Sequence, residues 1–244
     1  MIPVMTFLFF AFAVYAVIRA LKRRGRGNTV LAGISFGVMF YTYLYDWATM
    51  LIALVLIAIF FFWRKDYHGL RQMGIILGIG FLVSIYYWIN LFQLTHLAQH
   101  KDIVARLGGE FSHRLRFMSV WKSYVRAVVL IVFLWRVLGK KMHETLILIS
   151  ALLLAYVVAV NEQFIMGFNV QPDHWYRAQF LPIALSVFLL LYWAWERYGS
   201  DYIKKYAGIV CGSLIVYMLS AFLAGQYAYS RERANLFVMP SAYA

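Results

Sequence analysis

The chain has 244 residues, of which 64% are hydrophobic and only 14% charged, with a mean hydropathy of +0.71. Soluble domains carry roughly a quarter charged residues, so the composition excludes a water-soluble fold and points to an all-α, polytopic integral membrane bundle. The formal net charge of +13 does not mark a nucleic-acid binder, because the Lys and Arg stand in short clusters between apolar runs, where they orient spans and meet anionic headgroups.

About 20 helical residues cross the ~30 Å hydrocarbon core of a bilayer, and the first apolar run, about residues 2–20, is that long. It is no cleavable signal, since no basic region precedes it and Arg19, Lys22, Arg23, Arg24 and Arg26 follow it. By the positive-inside rule that cluster is cytoplasmic and the N-terminus points outward. A polytopic chain that starts so abruptly is expected to be part of a longer protein. Residues 29–63 are too long for one span and have basic flanks at both ends, which predicts two short helices, about 29–45 and 47–63, around an outer turn at Tyr41–Trp47. Asp46 is the one acid there. A lone acid at the membrane edge is a functional candidate, and the commoner use of Asp is to cap the following helix.

The fourth span runs over about 70–94, with Asn90 and Gln93 towards its outer end. Residues 95–122 hold apolar positions at helical spacing between charges, which predicts broken amphipathic helices along the outer surface, with Gly108-Gly109 as the break. Further spans fall at about 124–138, 144–160, 178–195 and 206–227, with Pro182 in the first turn of the seventh. Between the sixth and seventh lies a polar island, Asn161 to Arg177, and the tail 230–244 is outer. This gives about eight transmembrane helices in one domain over 1–244, both termini outside. Fourteen of the 23 Lys and Arg then fall in the four inner loops, consistent with that orientation.

Gly33/Gly37, Gly74/Gly78 and Gly208/Gly212 each place two glycines on one helical face, where helices approach closely in lipid. They serve either contacts inside the bundle, the commoner use, or partner helices. Cys211 has no partner cysteine and reads as a packing residue.

No P-loop, zinc-binding or nucleophile-elbow motif occurs, and charges in the middle of spans are scarce. The ionisable groups gather at the outer helix ends: Asp46; Asn90 with Gln93; Glu110, His113, Arg114 and Arg116; and the polar island with Asn161, Glu162, Gln163, Asn169, Gln171, Asp173, His174, Trp175 and Arg177. Arg can clamp phosphate. Carboxylates can act as bases or hold a divalent cation, and His174 beside Asp173 can be an acid/base group. Trp175 and its aromatic neighbours offer flat platforms for sugar rings. Each residue also has an ordinary use as a solvated charge, a helix cap or an interfacial anchor.

The Gly-xxx-Gly helix running into FYTYLYDW, followed later by the Asn-Glu-Gln…Gly…Gln-Pro-Asp-His-Trp loop between two spans, resembles prokaryotic multi-span proteins of the GT-C glycosyltransferase type. The resemblance covers about Ile2 to Pro240 through loose motifs. It implies a plasma-membrane enzyme acting at the outer face on a polyprenyl-phosphate sugar. Asp46, Glu162, Asp173 and His174 would stand near the reacting sugar, and Arg114, Arg116 and Arg177 near phosphate, with Asn161, Gln163, Gln171 and Trp175 as further substrate contacts. Such enzymes carry a catalytic acid in the first outer loop, and Asp46 lies in the first outer loop here. The readings from other classes are a transporter or flippase of lipids or small solutes, and a non-catalytic membrane subunit or scaffold.

Overall fold

A computed structural model describes residues 3–106, 109–111, 113, 117–139, 141–170 and 175–198. The expected span at 206–227, Cys211, the pair Gly208/Gly212 and the tail lie outside the described residues. The chain divides into two compact units, Met1–Leu190 and Leu191–Ala244, and all packing that follows is within the first.

Helix α1 (Pro3–Lys22) is followed by the expected pair, α2 (Arg26–Met39) and α3 (Leu44–Trp63). At 1.5 Å per residue, the 14 residues of α2 reach only about 21 Å, short of a full crossing. A turn at Arg64–Asp66 leads to α4 (Tyr67–Val83). Asp66 starts this helix by accepting the Gly69 N–H at 2.9 Å and pairs with Arg24 at 2.9 Å.

The single span expected over 70–94 is instead two helices, α4 and α5 (Ile85–Thr95), bent by 62°. Ser84 sits buried at the bend, where its Oγ donates to Phe81 O at 3.2 Å and accepts from Trp88 Nε1 at 3.0 Å. Apolar periodicity runs through Ser84 unbroken, so the hydrophobic pattern gives no sign of the break.

The segment expected to lie along the surface, 95–122, also differs from expectation. After the short α6 (His100–Arg106), the chain forms β1 (Gly109–Phe111) rather than a second surface helix, and α7 (Phe117–Leu138) begins seven residues before the expected fifth span. Then come α8 (His143–Asn161), the single turn α9 (Gln163–Met166), β2 (Phe168–Val170) and α10 (Tyr176–Tyr198). Strands β1 and β2 pair antiparallel, Gly109 opposite Val170 and Phe111 opposite Phe168. Because α10 starts two residues earlier than expected, Pro182 falls inside the helix. The main-chain oxygen there is not idle, since Ser186 Oγ donates to Pro182 O at 2.6 Å.

α8 is buried on nearly every side. It packs against α1 and α3, α2 packs against α1 and α4, and α7 lies on α8, where Trp135 Nε1 donates to Ser150 Oγ at 2.9 Å. The core formed this way contains Phe10, Phe36, Met50, Leu54, Ile76 and Leu152. Gly33 and Gly37 belong to the α2–α4 contact: a Cβ on Gly33 would stand 2.7 Å from Ile79 Cβ, and one on Gly37 would stand 2.8 Å from Gly80 O. Gly74 and Gly78 face open space instead.

Among the described residues, three helices are long and apolar enough to cross a membrane: α3, α8 and the stretch Gln179–Arg197 of α10. The count becomes four if the bent α4–α5 pair is one span. Large apolar side chains such as Leu8, Phe12, Trp63, Leu82 and Phe188 are exposed around the helices.

Candidate functional site

The helices alternate in direction, so their connections collect at two ends. One end holds the α1–α2, α3–α4 and α7–α8 turns and most of the Arg and Lys of the described loops. At the other end meet the start of α1, the α2–α3 turn, the β1–β2 ribbon, the end of α8 and the start of α10. This second end contains the candidate site.

The α2–α3 turn is built from its own hydroxyls. Thr42 Oγ1 donates to Met39 O at 2.6 Å, and Tyr41 Oη reaches across to Val83 O at 2.9 Å. Tyr43, extended at φ −110° and ψ 125°, is the residue from which α3 starts. Asp46 is therefore not the cap. It lies three residues further on, in the first turn, with its N–H bonded to Tyr43 O at 3.0 Å. An acid so close to a helix start is favoured by the free N–H groups there, but its side chain points inward. Asp46 is buried, and its carboxylate is bonded to the Thr6 hydroxyl of α1. No Lys, Arg or His pairs with it among the described residues.

Next to it, Tyr45 packs edge-on against Trp175, with ring centroids 4.8 Å apart. Both are about 98% buried, in a cluster with Tyr156, Ala159 and Val160 of α8. Trp175 thus links the polar island to the Asp46 turn. Its faces are filled by protein, which removes it as an open sugar platform.

The island itself is more ordered than a loop. Asn161 Nδ2 donates to Val157 O at 2.9 Å and to the Tyr124 hydroxyl of α7, so its amide anchors the end of α8. Gln163 is buried. The α9 turn closes through Gly167 N to Gln163 O at 2.8 Å, and Gly167 has φ +70°. A Cβ there would stand 2.8 Å from the His113 ring, so glycine is required both for the left-handed backbone and for room. His113 Nδ1 donates to Phe164 O at 3.2 Å. With the β1–β2 pairing, this ties the basic segment before α7 to the island.

Glu162 follows α8 directly. Its carboxyl is half-buried and has no hydrogen-bond or charged partner among the described residues, and burial pushes it up to about 7 from the ordinary 4.5. A carboxyl with that value can take up or release a proton near neutrality.

Of the residues singled out in the sequence, Asp46, Asn161, Glu162, Gln163 and Trp175 gather at this end. Asn90 and Gln93 are exposed on α5, apart from these contacts. Arg114, Arg116, Gln171, Asp173 and His174 lie outside the described residues, as does the side chain of Arg177. Thr6 and Tyr124 were missed, and Gly167, part of the loop motif quoted in the sequence, was given no role there. Thr6 and Tyr124 act through contacts with distant helices, which local pattern does not encode, whereas a glycine after a short helical turn is a readable sign of a left-handed cap. No group of three or more His, Cys, Asp or Glu that could hold a metal ion occurs among the described residues.

Comparison with protein-family models, with characterised proteins and with solved structures finds no match.

Proposed function

We propose that this chain is a multi-pass plasma-membrane protein of prokaryotic type, with about eight spans and both termini outside. On this reading it works at the outer face as a GT-C-type glycosyltransferase on a lipid-phosphate-linked sugar. The single observation that carries the reading is the presence of two poorly solvated carboxyls, Asp46 and Glu162, at the same end of an apolar helical bundle. The large apolar side chains left exposed around the helices suit a lipid surround, and the acids stand where those helices end. Glycosyl transfer to a hydroxyl needs a base to take the acceptor proton as the sugar leaves its phosphate. Glu162 supplies a carboxyl that exchanges protons near neutral pH, and Asp46 supplies a fixed negative charge or a ligand for a divalent cation beside the developing positive charge on the sugar. Arg114, Arg116 and Arg177 neutralise the departing phosphate, and Asp173 and His174 position the acceptor.

The test is transfer from a polyprenyl-phosphate sugar by the purified protein in lipid nanodiscs, with and without added Mg²⁺ or Mn²⁺. Loss of a positioned proton acceptor costs roughly 10²–10⁴-fold in rate, so Glu162→Gln is expected to fall by about that factor, and Asp46→Asn to lose rate as well, while donor binding persists. His174→Ala is expected to be impaired as well. Retention of full transfer by both carboxyl variants would remove the enzyme reading. A bent helix such as α4–α5 is also found in transporters. That alternative is favoured if donor-independent movement of a solute across sealed vesicles accompanies the absence of transfer.

A further inference from the structure

At the end of the bundle opposite the acids, a cavity of about 490 Å³ opens between the first halves of α2 and α4. Arg24, Arg26, His68 and Arg71 surround it, Thr29 and Gln72 form its polar wall, and Val30 and Ile75 its apolar side. Arg24 is already neutralised by Asp66, whose carboxyl is held below its ordinary range first by the Gly69 N–H and then by Arg24. Arg26 and Arg71 form no ion pair among the described residues. The start of α2 adds to the positive field, since no side chain caps it, and uncapped N–H groups at a helix start attract anions.

Gln72 supplies the second feature. It is 4% exposed, and its Nε2 donates to Ala20 O at 2.8 Å and to Thr29 Oγ1 at 3.1 Å. Turning the amide over would place oxygen against the Ala20 carbonyl, and Thr29 Oγ1 already donates to Gly25 O, so this orientation is fixed. Gln72 Oε1 is left as a buried acceptor with no donor. That atom is shut off from solvent, so Gln72 serves the cavity as a fixed wall.

We infer that this cavity binds a phosphate ester, with Arg26 and Arg71 on the phosphate and Thr29 and Gln72 as its polar wall. A glycerol-bearing phospholipid headgroup and a soluble polyol phosphate share this chemistry. The inference does not depend on the glycosyltransferase reading, since the cavity lies at the other end of the helices.

The experiment measures binding to the purified full chain in an uncharged detergent, by native mass spectrometry for phosphatidylglycerol and by equilibrium dialysis for glycerol 3-phosphate. Phosphatidylcholine is the control lipid. Both Arg-phosphate contacts are charge-assisted, so Arg26→Gln with Arg71→Gln is expected to weaken binding by about tenfold or more. Lys22→Gln with Arg23→Gln removes the same charge outside the cavity and should change it by less than about twofold. If the double Arg variant does not elute as a folded protein, Arg71→Gln alone carries the comparison. Binding of the lipid only, or of both probes, with this dependence on variants supports the site and identifies its source. Equal loss in the two double variants, or no binding of either probe, overturns it.

Discussion

Glu162 and Asp66 are both acids at helix ends, yet their environments act in opposite directions. Around Asp66 an N–H and a guanidinium favour the charged form, so its contribution is present above the ordinary carboxyl range and is lost only as the pH falls through its lowered value. Around Glu162 burial disfavours the charged form, moving it from 4.5 to about 7. Between those two values the folded protein holds a proton that the unfolded chain has released. Stability therefore falls as the pH rises through that window and levels off on either side. Glu162→Gln abolishes the titration while keeping the shape, so the difference in melting temperature between wild type and variant is expected to be small near pH 4.5 and to grow in the variant's favour by pH 8. Scanning fluorimetry in a neutral detergent reads this directly. A constant difference across the range would mean that the carboxyl is well hydrated, and its proton would then be of no use near neutrality.

At the scale of elements, the glycines divide into two groups that sequence spacing alone cannot separate. Gly33/Gly37 and Gly74/Gly78 carry the same four-residue repeat, but the first pair lies against α4 and the second faces open space. Gly80 completes the tight contact, since a Cβ there would run into the Phe36 ring. Overfilling a packed contact costs roughly 1–3 kcal/mol, whereas Ala in place of Gly in a free helix face gains up to about 1 kcal/mol. Gly37→Val and Gly80→Val are accordingly expected to lower the melting temperature by several degrees. Gly74→Ala with Gly78→Ala should leave it unchanged or raise it, as followed by size-exclusion chromatography after heating. Comparable losses from both sets would show that the second face is also covered, by another chain. The same logic explains the break at Ser84. A serine in an apolar run has no signature of its own, and at the bend its hydroxyl bonds Phe81 O and the Trp88 indole.

For the molecule as a whole, the pattern of apolar runs and basic turns made α1, α3, α8 and the start of α10 legible to within a few residues, because membrane-scale hydrophobicity is a long and redundant signal, whereas α2 ends at Met39, well short of the expected 45. It also brought residues 41–47, the basic segment before α7 and the polar island to one end, and the Tyr45–Trp175 contact and the β1–β2 pairing join those stretches. What it could not reveal was how the site is closed. Asp46 has two readings in the sequence, a functional acid and a helix cap, and only the cap is replaced: Tyr43 starts the helix and Asp46 turns inward to Thr6, more than thirty residues away in the chain. The arrangement of ends leads to a prediction about sidedness. In a Cys211→Ser background, single cysteines at Tyr41 and Phe164, both exposed at the acidic end, should react with a membrane-impermeant maleimide on intact cells. Cysteines at Lys22 and Lys65, exposed at the basic end, should react only after permeabilisation, as the positive-inside rule requires. The reverse pattern would keep the bundle but place the acids in the cytoplasm, out of reach of an outer-face lipid-linked donor. Labelling of all four from one side would mean that these helices do not cross the membrane as assigned.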